Sequence, residues 1–381
     1  MPLSVQEMSA ESYRSLRSIR FPVGPLSVFV GANGTGKSNL YRALQLIQAA
    51  ARGDLARALA AEGGMDSALW AGKRKAGAPA RIQLGVTLGD AAGRAGAFSY
   101  EVAVGLPPRE ATAAFPLEPQ IKEEQARFTA GRRPEILLQR RGPHLTVSDA
   151  EGQPSDLDAD LLASETALAR LEDPSRYPDL HLIRQTLLDW RFHHELRTDA
   201  ASALRRPCLA VTSPTLDSDG GNLAAVFATL VHIRQDTLEL DRTIADAFPG
   251  ARLVVPEPDR VASFGMEFPE YPKRVFEAAE LSDGTLRFLA LAGALLAYRP
   301  PAFIALNEPE SSLHPELLAP LARLIVAAAT RTQVWLVTHS ETLAEAIRKF
   351  GGPKAHTVVK REGATWIEGL KLFGAFEDEG D

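Results

Sequence analysis

Two rhythms of apolar residues alternate along this chain. A short, partly β-branched run at 26–30 ends in a glycine-rich stretch, after which Leu40, Ala43, Leu44 and Ile47 recur at helical spacing through 39–51. That is strand, loop, helix. Residues 81–88 and 98–105 alternate as two strands joined by a Gly/Ala-rich turn, and 136–138 with 145–147 flank Arg140-Arg141-Gly142 as a hairpin. Residues 180–194 and 222–243 have helical spacing. Toward the end the pattern predicts a helix at 285–298, a buried strand at 303–306, a helix at 316–330, a strand at 333–338 and a helix at 341–350. A final hairpin, 357–360 with 364–368, turns at Glu362-Gly363. Such alternation predicts an α/β fold with a doubly wound, mostly parallel core sheet. Residues 1–105 and 276–381 share that core, and 106–275 form an inserted lobe. No heptad persists long enough for a coiled coil, and no segment repeats.

The first chemistry lies in Gly31-Ala-Asn33-Gly34-Thr35-Gly36-Lys37-Ser38, which fits G-x-x-x-x-G-K-S/T between a strand and a helix. Glycines let the backbone curl so that its N–H groups face a phosphate, and the following helix adds its positive dipole end. Lys37 suits the β- and γ-phosphates, and the Ser38 hydroxyl suits Mg²⁺.

Three weaker signals follow. The apolar strand 303–306 runs into Asn307-Glu308-Pro309, polar residues at a strand's carboxyl end, where open α/β sheets bind ligands. Glu308 is placed to polarise a water. Asn307 stands where a metal-supporting carboxylate is expected, and its neutral amide should hold Mg²⁺ less strongly. Leu281-Ser282-Asp283-Gly284-Thr285 reads either as an anion site formed by Ser282 and the Gly284 backbone or as a plain helix cap. His339 ends the 333–338 strand, and a lone histidine there is more often structural than catalytic.

Composition narrows the setting. The chain has 381 residues, 45% hydrophobic and 24% charged, with a net charge of −6. A surface that binds nucleic acid throughout would be basic, so DNA contact would need a local patch. Lys73-Arg74-Lys75, Arg132-Arg133, Arg140-Arg141 and Arg205-Arg206 are candidates, and solvated loop charges are the blander reading. No apolar run approaches the ~20 residues of a membrane span, and the first twenty residues lack a leader's apolar core, so no membrane association is expected. Cys208 is the only cysteine. A cytoplasmic, reduced setting is the expectation.

Phosphate loop, Ser-x-Gly helix start, strand-terminal Glu and strand-terminal His occur in the order of the ABC-type ATPases, which the chain resembles. Within them it is most similar to the RecF-like, SMC-related and OLD-like group. Ser12-Tyr-Arg-Ser-Leu16 resembles that group's N-terminal strand motif, and the loop through Ser38-Asn39 its form of the phosphate loop. Asn307-Glu-Pro-Glu-Ser-Ser-Leu-His-Pro315 resembles the OLD-like Glu-Pro-Glu-x-x-Leu-His-Pro stretch. The resemblance covers about 1–105 and 275–381.

It implies a P-loop NTPase fold of the ABC ATPase-head kind, with an N-terminal antiparallel β subdomain and an inserted helical or arm lobe. It further implies ATP and Mg²⁺ as ligands and a homodimer that sandwiches two nucleotides. Ser282 would act on the ATP held at Lys37 of the second copy, Glu308 would be the catalytic glutamate, and His339 would sense the γ-phosphate. The glutamine that links Mg²⁺ to the inserted lobe is left open among Gln83, Gln120 and Gln139. The chain ends soon after His339, without room for the Toprim nuclease domain that OLD-like proteins carry there. An ATPase acting in DNA maintenance or phage defence through a partner effector is expected, and an ATP-gated scaffold with negligible turnover is the alternative. A transporter subunit fits poorly, because the insertion is long.

Overall fold

The computed structural model describes residues 3–73, 79–90, 96–108, 114–131, 133–157, 160–194, 196–235, 237–371 and 374–376. In chain order, β1 (Ser4–Tyr13) and β2 (Leu16–Pro22) precede β3 (Leu26–Val30), α1 (Lys37–Arg52), α2 (Leu55–Ala61) and α3 (Gly64–Ala68). A run of strands follows: β4 (Arg81–Gly89), β5 (Ala97–Gly105), β6 (Gln120–Thr129), β7 (Glu135–Arg141), β8 (His144–Ser148) and β9 (Pro154–Leu157). Then come α4 (Ala167–Arg170), α5 (Pro178–Asp189), β10 (Arg191–His193), β11 (Cys208–Leu209), α6 (Leu223–Ala228) and α7 (Leu238–Ala247). Short strands β12 (Arg252–Val254), β13 (Val261–Ala262), β14 (Gly265–Glu267) and β15 (Val275–Glu277) lead to α8 (Asp283–Leu296) and β16 (Phe303–Asn307). The chain closes with α9 (Leu318–Ala328), β17 (Gln333–Thr338), α10 (Glu341–Lys349), β18 (His356–Arg361) and β19 (Ala364–Ile367).

These residues pack as two compact units. One comprises the described residues of 1–24, 31–190 and 357–381, the other those of 25–30 and 191–356. In the first, eight antiparallel strands run in the order β2-β1-β4-β5-β6-β7-β8-β9. The helical spacing seen in the sequence becomes the buried face of α1, with Leu40, Leu44 and Ile47 inaccessible to solvent. Its far end is tied down by side chains: Thr166 Oγ1 donates to Ala50 O at 2.6 Å, and Gln48 Nε2 donates to Leu187 O and Trp190 O. Glu124 is fully buried and accepts from the Ala167 and Leu168 amides and the Tyr100 hydroxyl, and burial pushes its carboxyl up.

In the second unit four strands in the order β10-β16-β17-β3 pair parallel. Their side chains are almost continuously apolar, as a parallel sheet covered on both faces requires. Phe29 and Trp335 stack across it with ring centroids 4.2 Å apart. α8 is apolar all round and buried among α6, α7 and α9.

Two expected helices are corrected. The segment 180–194 is helical only to Asp189. Trp190 turns extended, and Arg191, Phe192 and His193 pair with Ile304, Ala305 and Leu306 as a parallel strand. Sheet hydrogen bonds there outweigh a spacing preference that is worth little per residue. The segment 222–243 breaks after Ala228 into a π-turn, Thr229–Arg234, and Gln235 adopts φ 53°. Thr229 Oγ1 bonds back to Ala225 O, the kind of intrusion that widens a helical turn.

Candidate functional site

The phosphate loop belongs to the first unit. Gly34 and Gly36 hold left-handed backbone, φ 81° and 94°. At Gly36 a β-carbon would sit 1.8 Å from Thr365 Oγ1, so no other residue fits. That threonine props the loop by donating to Thr35 O at 2.7 Å, and it meets Ser15 Oγ at 2.6 Å. Asn39 Nδ2 also donates to Ser15 Oγ, so the loop rests on a polar hub that the sequence did not disclose. Ser12–Leu16 spans the end of β1 and the start of β2, with Arg14 and Ser15 as the turn between them and Ser12 and Arg14 at positive φ. No side chain caps α1 at Gly36, and the Asn39 N–H turns back to Gly36 O at 3.0 Å. Lys37 is 4% exposed, and its Nζ donates to Gly31 O at 2.5 Å and Ala32 O at 2.9 Å, folded back over the loop. Asn33 and Gly34 are exposed, and Thr35 and Ser38 are half-buried.

The second unit carries the strand-end residues. Parallel register sets Asn307 opposite Val337, so β16 and β17 end side by side. Glu308 leaves the strand at φ 49°, fixed by its N–H to Val337 O. Glu310, whose side chain is 5% exposed, accepts from the Thr338 hydroxyl at 2.5 Å and the His339 amide at 3.1 Å. Its Oε1 also lies 3.2 Å from His339 Nδ1, and Glu308 Oε2 lies 4.0 Å from the same nitrogen. Two carboxylates therefore flank one imidazole. Glu310 was visible in the Glu-Pro-Glu stretch, but its burial was not. Arg287 donates to Glu308 O and Pro309 O, holding the turn from α8, and burial lowers its guanidinium.

Asn307 is 6% exposed, and its Nδ2 bonds His194 Nδ1 at 3.0 Å. That contact uses the amide nitrogen and leaves Oδ1 buried with no hydrogen-bond partner among the described residues. An orphaned hard oxygen at this strand end fits the hydration shell of Mg²⁺. His194, Asn307, Glu308, Arg287, Asp283 and Thr198 share a pocket of about 460 Å³.

Ser282 is exposed and caps α8, accepting from the Thr285 amide at 3.2 Å. The cap geometry and the Ser-x-Gly anion site are compatible, because the other first-turn amides are left over. A β-carbon on Gly284 would come 2.9 Å from Ser312 O. The three candidate glutamines lie on β4, β6 and β7: Gln83 is exposed, Gln120 and Gln139 half-buried. Of the basic runs, Arg74, Lys75 and Arg132 lie outside the described residues. Arg140 is buried and donates to Gly142 O and Leu162 O, and Arg205 also turns inward; only Arg141 and Arg206 of those two pairs are exposed.

Residues 26–345 match the family described as "AAA domain, putative AbiEii toxin, Type IV TA system". The chain belongs to that family. Among solved structures this AAA-domain protein is similar to an SMC head bound to the C-terminal winged-helix domain of ScpA, at 15% identity over 97% of this chain and 99% of that one, TM-score 0.51. It is equally similar to a Pyrococcus furiosus Smc head with an extended coiled coil bound to the C-terminal domain of ScpA, at 15% identity over 97% of each chain, TM-score 0.51. No curated protein matches. At such identity the likeness is one of fold: the AAA-domain protein has the α/β P-loop fold of an SMC-type ATPase head. No described helix is long and apolar enough to cross a membrane.

Proposed function

We propose that this protein binds ATP with Mg²⁺, closes as a homodimer around it and hydrolyses it. The cluster of Glu308, Glu310 and His339 carries the reading. Glu308 is partly exposed and can take a proton from an attacking water. Glu310 engages His339 through Nδ1, and Nε2 is the ring nitrogen assigned to contact a γ-phosphoryl oxygen. Lys37 and the uncapped amides of α1 take the β- and γ-phosphates. Ser38 in the first unit and Asn307 in the second each offer an oxygen suited to Mg²⁺, which when bound would neutralise charge on the phosphates. Ser282, at the exposed tip of α8, serves the nucleotide held by the second copy.

An effector protein suits this chain better than DNA as its partner, because Arg140 and Arg205 spend their guanidinium groups on the chain's own carbonyls. The family description speaks of a toxin–antitoxin system, and both SMC heads are bound to another protein, which fits a role in defence through a separate effector.

Turnover of purified protein with Mg²⁺, with and without DNA, tests the reading. Glu308→Gln should lower the rate about 100-fold while ATP still binds. Tight binding with no turnover above that variant would overturn hydrolysis and leave the ATP-gated scaffold, the reading that the neutral Asn307 favours. Ser282→Arg should keep nucleotide binding and lose ATP-driven dimerisation in sedimentation; a dimer of wild-type strength would remove the trans contact.

A further inference from the structure

We propose that Arg205 is a positioning residue that locks the Ser282 turn to the wall of the Glu308 pocket. The inference rests on the trans role given to Ser282 above. Arg205 ends a one-turn 3₁₀ helix, Ala203–Arg205, that Ser202 caps, and its side chain is 12% exposed. Every nitrogen of its guanidinium is used within the chain. Nη1 donates to Leu281 O at 2.7 Å and Ala279 O at 3.0 Å, and Nη2 donates to Asp283 Oδ1 at 2.5 Å. Nε donates to Thr198 O at 2.7 Å. These contacts fall on both sides of Ser282 and on a segment that lines the pocket with Asn307 and Glu308.

The physical need is plain. Ser282 and Asp283 are exposed, and the Ser282 hydroxyl makes only a helix cap and a pairing with the Thr285 hydroxyl among the described residues. Before α8 the chain makes a one-turn 3₁₀ helix, Ala278–Glu280, and the carbonyls of Ala279 and Leu281 are the acceptors that Nη1 ties together. A planar fork with fixed donor directions holds several oxygens at once, which an ammonium cannot. The Asp283 carboxylate in the first turn also favours the helix N-terminus, and Arg205 fixes its rotamer. A solvated arginine of an Arg-Arg pair would point outward, as Arg206 does.

The experiment compares wild type, Arg205→Ala, Arg205→Lys and Ser282→Arg. Arg205→Ala should weaken ATP-driven dimerisation at least tenfold and lower turnover in step, while monomer affinity for ATP stays within twofold. Millimolar guanidinium should restore part of the loss, and Arg205→Lys should recover little. Amide hydrogen exchange across 278–286 should quicken in both Arg205 variants. The clamp is overturned if exchange there is unchanged, or if Arg205→Ala dimerises like wild type while Ser282→Arg does not. If Ser282→Arg itself dimerises normally, the trans reading fails, and the exchange measurement still judges the clamp. Should Arg205→Ala lose ATP binding through misfolding, Arg205→Lys and Asp283→Asn carry the same exchange test.

Discussion

The phosphate loop and the strand-end cluster are built in opposite ways. The loop draws its chemistry from consecutive residues, Gly31 to Ser38, and Lys37 is satisfied by carbonyls five and six positions back. The cluster gathers His194, Arg287, Asn307, Glu308, Glu310 and His339 from β10 to the end of β17. Its geometry exists only when the parallel strands are in register. A local site should therefore fail by losing its ligand, whereas an assembled one should fail by losing alignment while its ligand still binds.

The largest expected effect tests the local half. Lys37→Ala should raise the ATP dissociation constant by about 100-fold or more in calorimetry, with little change in thermal midpoint. Near-normal uptake would mean that the amides suffice and that the two regions differ less than proposed. Next comes the strand scaffold. Burial holds His193 on β10 at about 4, against an ordinary 6.5. The folded value is the lower one, so the unfolded chain takes up the proton first as pH falls. Stability is complete above about 6.5 and is lost between 6.5 and 4, by on the order of 3 kcal/mol. Urea midpoints at pH 7.5 and 5 should show it, and His193→Leu should flatten the difference.

Glu310→Gln keeps the shape but weakens the grip on His339. Turnover should fall about tenfold with ATP affinity unchanged, and a parallel fall in affinity would place Glu310 in binding instead. The smallest effect is at the loop's prop. Thr365→Val removes the bond to Thr35 O and should weaken ATP binding a few-fold, on the order of 1 kcal/mol.

Much of the fold was legible because its signals are local. The spacing over 39–51 names the face that α1 buries, and the apolar run 303–306 names a strand covered on both sides. The backbone of the phosphate loop was legible, though not its props, since glycine at φ 94° and a lysine one residue later are requirements of a short stretch of backbone. Asn307, Glu308 and His339 could be named from their strand ends, but the residues that hold them were not legible. Nothing near Glu310 announces that it is buried against a histidine, and nothing near Arg205 announces that its donors go to a loop far along the chain. The 180–194 segment shows the limit most clearly: its spacing favours a helix, but β16 offers Phe192 and His193 a parallel partner, and only the folded chain can supply it. Sequence determined what neighbours within a turn or a loop decide, and tertiary structure decided whatever depends on which distant strand lies alongside.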